Sequence, residues 1–492
     1  MTTSQNMPVN IVGGATFGRY GKISQENTYN MFVTDNALVP YLGYKSVLSI
    51  PGQEGRGLFY SPINNVMLAV VDSSIFLIDT SLNYQRVGGI KTSKGIVYIT
   101  ANNASPSQFA ISDLSYIYIY TYGGTVTQVD TLPENFLPGY IDFQDSYFIC
   151  GDRRSSAWNL SHSNDGTNWT TPDPNDGYTY QGAYETKPDT VQATVVFNRI
   201  VFVMANNGTE MWQDVGNDLF PYQRNNYYAI DYGVVSIPTI AEGFGYLVWL
   251  AKNEYSSPII MVSTGGPPSP ISTDGISYVL SNLEHPEDSS AFMFQNSTHI
   301  FYQITFYSDN LTLVYDFTTQ MFFTATDENL NYHIAKRFCH FNNKNYFVPY
   351  GNNKDGTVSI YEMSSSYTTY DGVTIPRFRI CAPIRNSGSD QFLITNLSLT
   401  MEQGATNQLQ RVGVSMCKNG GLSFGNIVEK ECNPQAYGQN KMQWWQLGAA
   451  NDVTFKFQFW SGDSDEPERT ETGNLNERFV IINAQAEVTY AN

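Results

Sequence analysis

Residues 161–172 read SHSNDGTNWTTP, and within them Ser163, Asp165, Gly166 and Trp169 come close to the Asp-box turn that decorates sialidase propeller blades. Such a turn has a purely mechanical use. Asp-Gly supplies a positive-φ corner, Ser163 and Asp165 can bond the corner backbone, and Trp169 can pack beneath it. Hydrolysis of a sugar would ask for more: an arginine cluster for a sugar carboxylate, a nucleophile pair and an acid. The arginines are scattered, as Arg153, Arg154, Arg377, Arg379 and Arg385 show, and no second good Asp box occurs. The turn is therefore read as structural, and no catalytic residue is assigned.

His333, Cys339 and His340 place imidazole and thiol ligands in one short segment, the raw material of a metal site. On a strand, however, Cys339 and His340 face opposite sides, so no metal is expected there. Carboxylates crowd two other stretches: Asp463, Asp465, Glu466 and Glu468 in SGDSDEPER, and Glu284, Glu287 and Asp288. Neither has the ligand spacing of a calcium loop, and both read as solvated loops, the first as a candidate acidic lumen or loop. No phosphate-binding or dinucleotide fingerprint is present, so no cofactor is expected. Trp444 and Trp445 are adjacent in NKMQWWQLG, where either both pack into the core or one enters it while the other meets a partner, which makes the pair a candidate interface.

The elements that position these residues are strands. At 492 residues the chain exceeds what one hydrophobic core serves, so several packed units or a radial array are required. Charged residues make up only 15%, while 34 Tyr and 29 Phe favour sheets and large interfaces. A net charge of −18, from 27 Lys+Arg against 45 Asp+Glu, excludes a groove that grips nucleic-acid phosphates and suits a surface that lets DNA pass without sticking. The five cysteines, Cys150, Cys339, Cys381, Cys417 and Cys432, show no paired spacing and read as buried thiols. No signal peptide or membrane span is recognisable, so folding in a reducing cytoplasm is expected.

YIYIYTY at 116–122 alternates strictly, with the tyrosines expected on one face and the isoleucines on the other. Comparable runs recur beside tight polar corners at Asn65, Asp113, Asp145, Asn198, Gly243, Asn296 and Asn343. Most spacings lie near the roughly 40–50 residues of a four-stranded propeller blade, with one shorter step before Asp145. Residues 173–190 read as a loop inserted between blades, and EHPEDSSAFMF from Glu284 as the place for one short helical turn. After about Arg377 the strands lengthen. The fold expected is all-β: a six- or seven-bladed β-propeller over 51–375, with a β-sandwich platform built from 376–492 and joined by N-terminal strands within 1–50.

The order of motifs is more telling than any one of them. PVNIVGG from Pro8, TYNMF around Asn30, LGYKSVLSIPG ending at Gly52, RGLFYSPINNVMLAVVDSSIFLID from Arg56, SNDGTNW, TVVFNRIVFVMANNGTEMWQDVG from Thr194, LTLVYDFTTQMFF, GVSMCKNGGLSFGN from Gly413 and WWQLG follow one another. Together they resemble the packaged-DNA stabilisation proteins, the tail-nozzle or tail-hub family of short-tailed phages, over nearly the whole chain. The resemblance implies a virion tail protein made in the bacterial cytoplasm. It implies a homo-hexameric ring below the portal and its adaptor protein, a tip holding a needle or plug protein, and laterally attached tail spikes or fibres. Such a ring closes the channel on the packaged genome, then conducts double-stranded DNA without binding it specifically. The family offers no catalytic residues. The competing reading is a phage-associated glycan-binding or glycan-hydrolysing propeller, in which Trp169 would meet sugar.

Overall fold

The computed structural model describes residues 3–17, 26–169, 181–217, 220–226, 230–351, 353, 355–385, 391–403, 410–418, 423–432, 438–460 and 479–490. Short apolar strands interrupted by Asn and Asp corners fold into antiparallel meanders. Asn65, Asp145, Asn198 and Asn342 take left-handed φ values of 50°, 56°, 50° and 48°. Tight hairpins need that conformation, and Asn and Asp tolerate it best among residues with a side chain. Each of these corners joins the first two strands of a meander, as where Gly55–Ser61 turns into Val66–Val71.

Among the described residues these form seven four-stranded meanders, some joined into larger sheets. Six begin with the strands Gly55–Ser61, Tyr98–Ala101, Pro138–Gln144, Val191–Phe197, Ser289–Asn296 and Ala335–Phe341. The fifth in chain order begins with two short pieces, Gly233–Val234 and Ala241–Gly243, both paired to Tyr246–Lys252. These strands neighbour one another in cyclic order, the fourth-to-fifth step running from Ile200–Ala205 to Gly233–Val234 and Ala335–Phe341 returning to Gly55–Ser61. The fold is a β-propeller. Its last sheet takes its outer strand from the other end of the chain: Gly43–Pro51 runs antiparallel to Thr357–Ser364, with Ile50 opposite Val358. The sequence places this strand among those joining the platform. It lies in the propeller instead, because Ile50 fills a core shared with Val358, Ile360 and Met67.

Apolar side chains fill every junction between successive sheets. Leu68 and Val70 meet Phe109 and Ile111; Val248 and Leu250 meet Ile304 and Phe306; Phe301 and Val314 meet Phe347 and Tyr361. A blade has neighbours on both faces, so the alternation in YIYIYTY does not separate core from solvent. Tyr118 and Tyr120 are as buried as Ile117 and Ile119, and only Tyr116 and Tyr122 at the ends are exposed. Tyr118 keeps its hydroxyl satisfied by accepting from the Lys91 N–H at 2.9 Å.

The platform is a two-layer sandwich. One sheet orders Met31–Thr34, Ala37–Pro40, Phe479–Tyr490, Phe392–Gln403 and Gly438–Ala450, with Thr3–Val9 also paired to Phe479–Tyr490. The other contains Arg377–Ile380, Asp452–Trp460, Gln410–Cys417 and Val428–Cys432, and continues through Asn27–Tyr29 into the outer strand Met321–Thr324 of a propeller sheet. Leu397, Leu399, Ile481 and Val488 from the first layer pack against Val412, Phe455 and Phe457 from the second. Arg379 fastens the N-terminal segment to this platform. Its buried guanidinium donates to the carbonyls of Asn10, Ile11 and Gly14, to Thr28 Oγ1 and to the Glu26 carboxylate.

The one α-helix among the described residues is Asp274–Ser281, with the Ile276 N–H donating to the Thr273 hydroxyl at its N-terminus. After Glu284 a single hydrogen-bonded turn opens at Pro286, the Asp288 amide donating to the His285 carbonyl at 3.1 Å, and no helix follows it. The apolar stretch Ser289–Asn296 alternates too densely and pairs along its length with His299–Phe306. In the expected inserted loop, residues 173–180 lie outside the described residues, while Gln181–Ala183 forms the outer strand of the third sheet.

Candidate functional site

The Asp-box-like turn is a packed corner. Trp169 is fully buried, and its indole N–H donates to the Gly166 carbonyl at 2.7 Å. Asp165 accepts from the Thr167 amide at 3.0 Å and from its hydroxyl at 2.6 Å, and Ser163 donates to Ser146 at 2.9 Å. The positive φ falls on Asn164 (56°) and not on the Asp-Gly pair as the sequence suggests. Gly166 is required for closeness: a Cβ there would sit 2.7 Å from Phe148 Cε2 and 2.8 Å from Ile119 Cδ1. A sugar has no indole face to stack on.

Of the tryptophan pair, Trp444 is buried, donating to the Val428 carbonyl at 3.1 Å, and Trp445 is 59% exposed. The strand sends them to opposite faces as adjacent residues must go. Cys339 is buried while His340 points outward and bonds Asn345 at 2.8 Å; His333 is buried beside Gln303, and burial lowers its pKa to about 3. All five cysteines are buried, and burial raises the thiol pKa of Cys150, Cys339 and Cys381 to about 12. Asp463, Asp465, Glu466 and Glu468 lie outside the described residues.

The polar site that sequence reasoning missed runs along the propeller axis, on the first strands of the sheets. Asp142, on Pro138–Gln144, accepts from the Val196 amide of the next sheet at 2.8 Å and from the Phe143 amide at 2.8 Å. Glu242, on Ala241–Gly243, lies two sheets further round the ring, yet the field of Asp142 reaches it. Both carboxyls hold their protons more tightly than usual, chiefly through desolvation and, at Glu242, also through the like charge of Asp142. Water reaches Glu242, so screening is stronger there than at Asp142. Tyr140 precedes Asp142 on the same strand, and its ring lies 4.7 Å from that of Tyr98. Burial and these two carboxylates push the Tyr140 hydroxyl pKa far up.

Cations gather at the end where the first strands start. Lys336 pairs with Glu54 at 2.7 Å, Arg337 follows it, and Arg153 leans over Gly139 with its Cγ 3.4 Å from where a Cβ would stand. Desolvation lowers the proton affinity of both Lys336 and Arg337. The axis thus has a guanidinium end and a carboxylate end. Charged residues inside short apolar strands, the Lys-Arg pair of AKRFCHF and the single Asp of PGYIDFQ, are the signal that would have pointed to it.

The family model described as bacteriophage P22 Gp10, beta-propeller, matches residues 29–356. No curated protein matches the chain. Among solved structures, a streptogramin B lyase aligns with a TM-score of 0.40 and 12% identity, over 66% of this chain and 97% of that one. An inactive virginiamycin B lyase from Staphylococcus aureus with quinupristin gives 0.42 and 11%, over 65% and 98%. The propeller domain of Cps50 (Swd1) from Myceliophteria thermophila gives 0.35 and 10%, over 65% and 98%. With two thirds of its length matched, the chain belongs to the phage stabilisation family, the packaged-DNA stabilisation proteins of the P22 Gp10 β-propeller type.

Proposed function

We propose that this chain is the tail nozzle of a short-tailed phage: a homo-hexameric ring below the portal and its adaptor that closes the DNA channel and conducts the genome at ejection. The observation that carries the reading is the family match across the propeller, which makes the chain a phage structural protein for DNA stabilisation. Physics supports the finer role. A propeller closed by its own N-terminal strand has few free sheet edges and two loop-rich faces, which suits a rigid strut between ring neighbours. A head-to-tail contact that closes on itself gives a cyclic ring, and a charge-poor, aromatic-rich chain suits permanent contacts. Exposed Trp445 is the platform residue we assign to such a contact. A net charge of −18 keeps passing DNA from adhering.

In this assembly the platform meets the adaptor protein, the opposite end holds a needle or plug protein, and tail spikes or fibres attach at the side. The protein is made in the host cytoplasm and resides in the virion tail. Immunogold labelling of intact particles with antibody to this chain tests the reading. Gold concentrated at the tail vertex supports it, and particles without label overturn it.

A further inference from the structure

Three buried polar atoms are left over on residues that the topology places at the strand-start end of the axis. The Tyr98 hydroxyl, Arg337 Nε and Arg153 Nε are all buried and have no hydrogen-bond partner among the described residues. They come from three different sheets: Tyr98 from the second, Arg153 from just past Tyr147–Asp152 in the third, and Arg337 from the seventh. Both guanidiniums lie close enough to Tyr98 for their fields to act on its hydroxyl, against the stronger opposing effect of burial.

The local charge is not balanced by protein. Among the described residues neither arginine makes a salt bridge, and Glu54, the carboxylate whose field reaches Arg337, is committed to Lys336 at 2.7 Å. Arg337 spends one N–H on the neighbouring Lys336 carbonyl at 3.2 Å. Behind Lys336 stands Arg56, fully buried and donating to the carbonyls of Asp72, Thr92, Lys94 and Gly95. Buried charges are ordinarily paired, and an arginine Nε that donates to nothing is costly to keep dry. Guanidinium forks with a hydroxyl donor nearby match the oxygens of a small oxyanion.

We infer that the propeller axis holds a small-oxyanion site, of the inorganic phosphate class, formed by Arg337, Arg153 and the Tyr98 hydroxyl. The anion supplies the missing counter-charge and ties the second, third and seventh sheets together. Its carboxylate-lined opposite end, with Asp142 and Glu242, gives the axis a polarity that orients an anion toward the arginines. The site is independent of the nozzle reading, since it needs only the folded propeller.

The test uses the full chain dialysed into chloride and titrated with inorganic phosphate by calorimetry, with thermal melts at matched ionic strength. Wild-type protein binds one phosphate per chain and melts higher in phosphate than in chloride. Arg337→Gln weakens binding by about a hundredfold, and Tyr98→Phe, which keeps the ring, by about tenfold. Arg154→Gln, which alters the exposed neighbour of Arg153, leaves affinity unchanged. In chloride, Arg337→Gln melts no lower than wild type, because the change removes an unpaired charge. Absence of phosphate binding to the wild type, or equal affinity in the Arg337→Gln and Arg154→Gln proteins, overturns the assignment.

Discussion

The propeller and the platform use the same kinds of strand but recruit them differently. Six of the seven propeller sheets are built wholly from strands that follow one another in the chain, each closed by tight corners. The platform draws its layers from both ends: Thr3–Val9 pairs with Phe479–Tyr490, and Asn27–Tyr29 with Arg377–Ile380. Local meanders pay little loop-closure entropy and can form early, whereas the platform needs contacts spanning nearly the whole chain. The seventh propeller sheet behaves like the platform, since Gly43–Pro51 must find Thr357–Ser364. Damage to a local sheet should therefore stay local, and damage to a long-range clasp should loosen both termini.

Arg379 gives the largest expected effect. Arg379→Ala strands the Glu26 carboxylate and the carbonyls of Asn10, Ile11 and Gly14, at a cost of about 5 kcal/mol in denaturant unfolding. Hydrogen exchange should show early loss of protection in Thr3–Val9 and Phe479–Tyr490 together; loss confined to one of them would show that the two termini do not loosen as a unit. Trp169→Ala comes next, at about 3–4 kcal/mol, from the cavity left between Ile119, Phe148 and Phe202. Here exchange should quicken in the second to fourth propeller sheets while the platform keeps its protection.

A smaller effect separates the axis from the rest of the propeller. The folded-state pKa of Asp142 is raised, so its contribution to stability is fully present below the ordinary carboxylate pKa of about 4 and is lost as pH rises through the folded value. Asp142→Asn removes that dependence. Its melting temperature should gain on wild type as pH increases and match it most closely in acid; a constant offset across the range would reject the burial of that charge. Smallest of all is Trp445→Ala, which should change the stability of the isolated chain by less than about 0.5 kcal/mol. Under the nozzle reading it weakens ring assembly, read by sedimentation at fixed protein concentration.

The strands and corners were legible because their causes are local. Asn65, Asp145 and Asn198 announce hairpins by residue type, and the opposite fates of Trp444 and Trp445 follow from the period of a strand. Gly166 was legible as a turn but for a different reason than the one that holds: it makes room for Phe148, while Asn164 takes the left-handed backbone. The helix at Asp274–Ser281 escaped notice because eight residues give too little periodicity against their flanks.

Periodicity and corner chemistry were enough by themselves to make this an all-β chain of repeated meanders followed by longer platform strands. Which strands close the ring, and where Gly43–Pro51 belongs, depended on partners hundreds of positions away. The axial site is the clearest case. Tyr98, Arg153 and Arg337 share no spacing that marks them as a set, and the two arginines come within electrostatic reach of Tyr98 only because a closed ring brings the starts of its first strands to one end of a common axis.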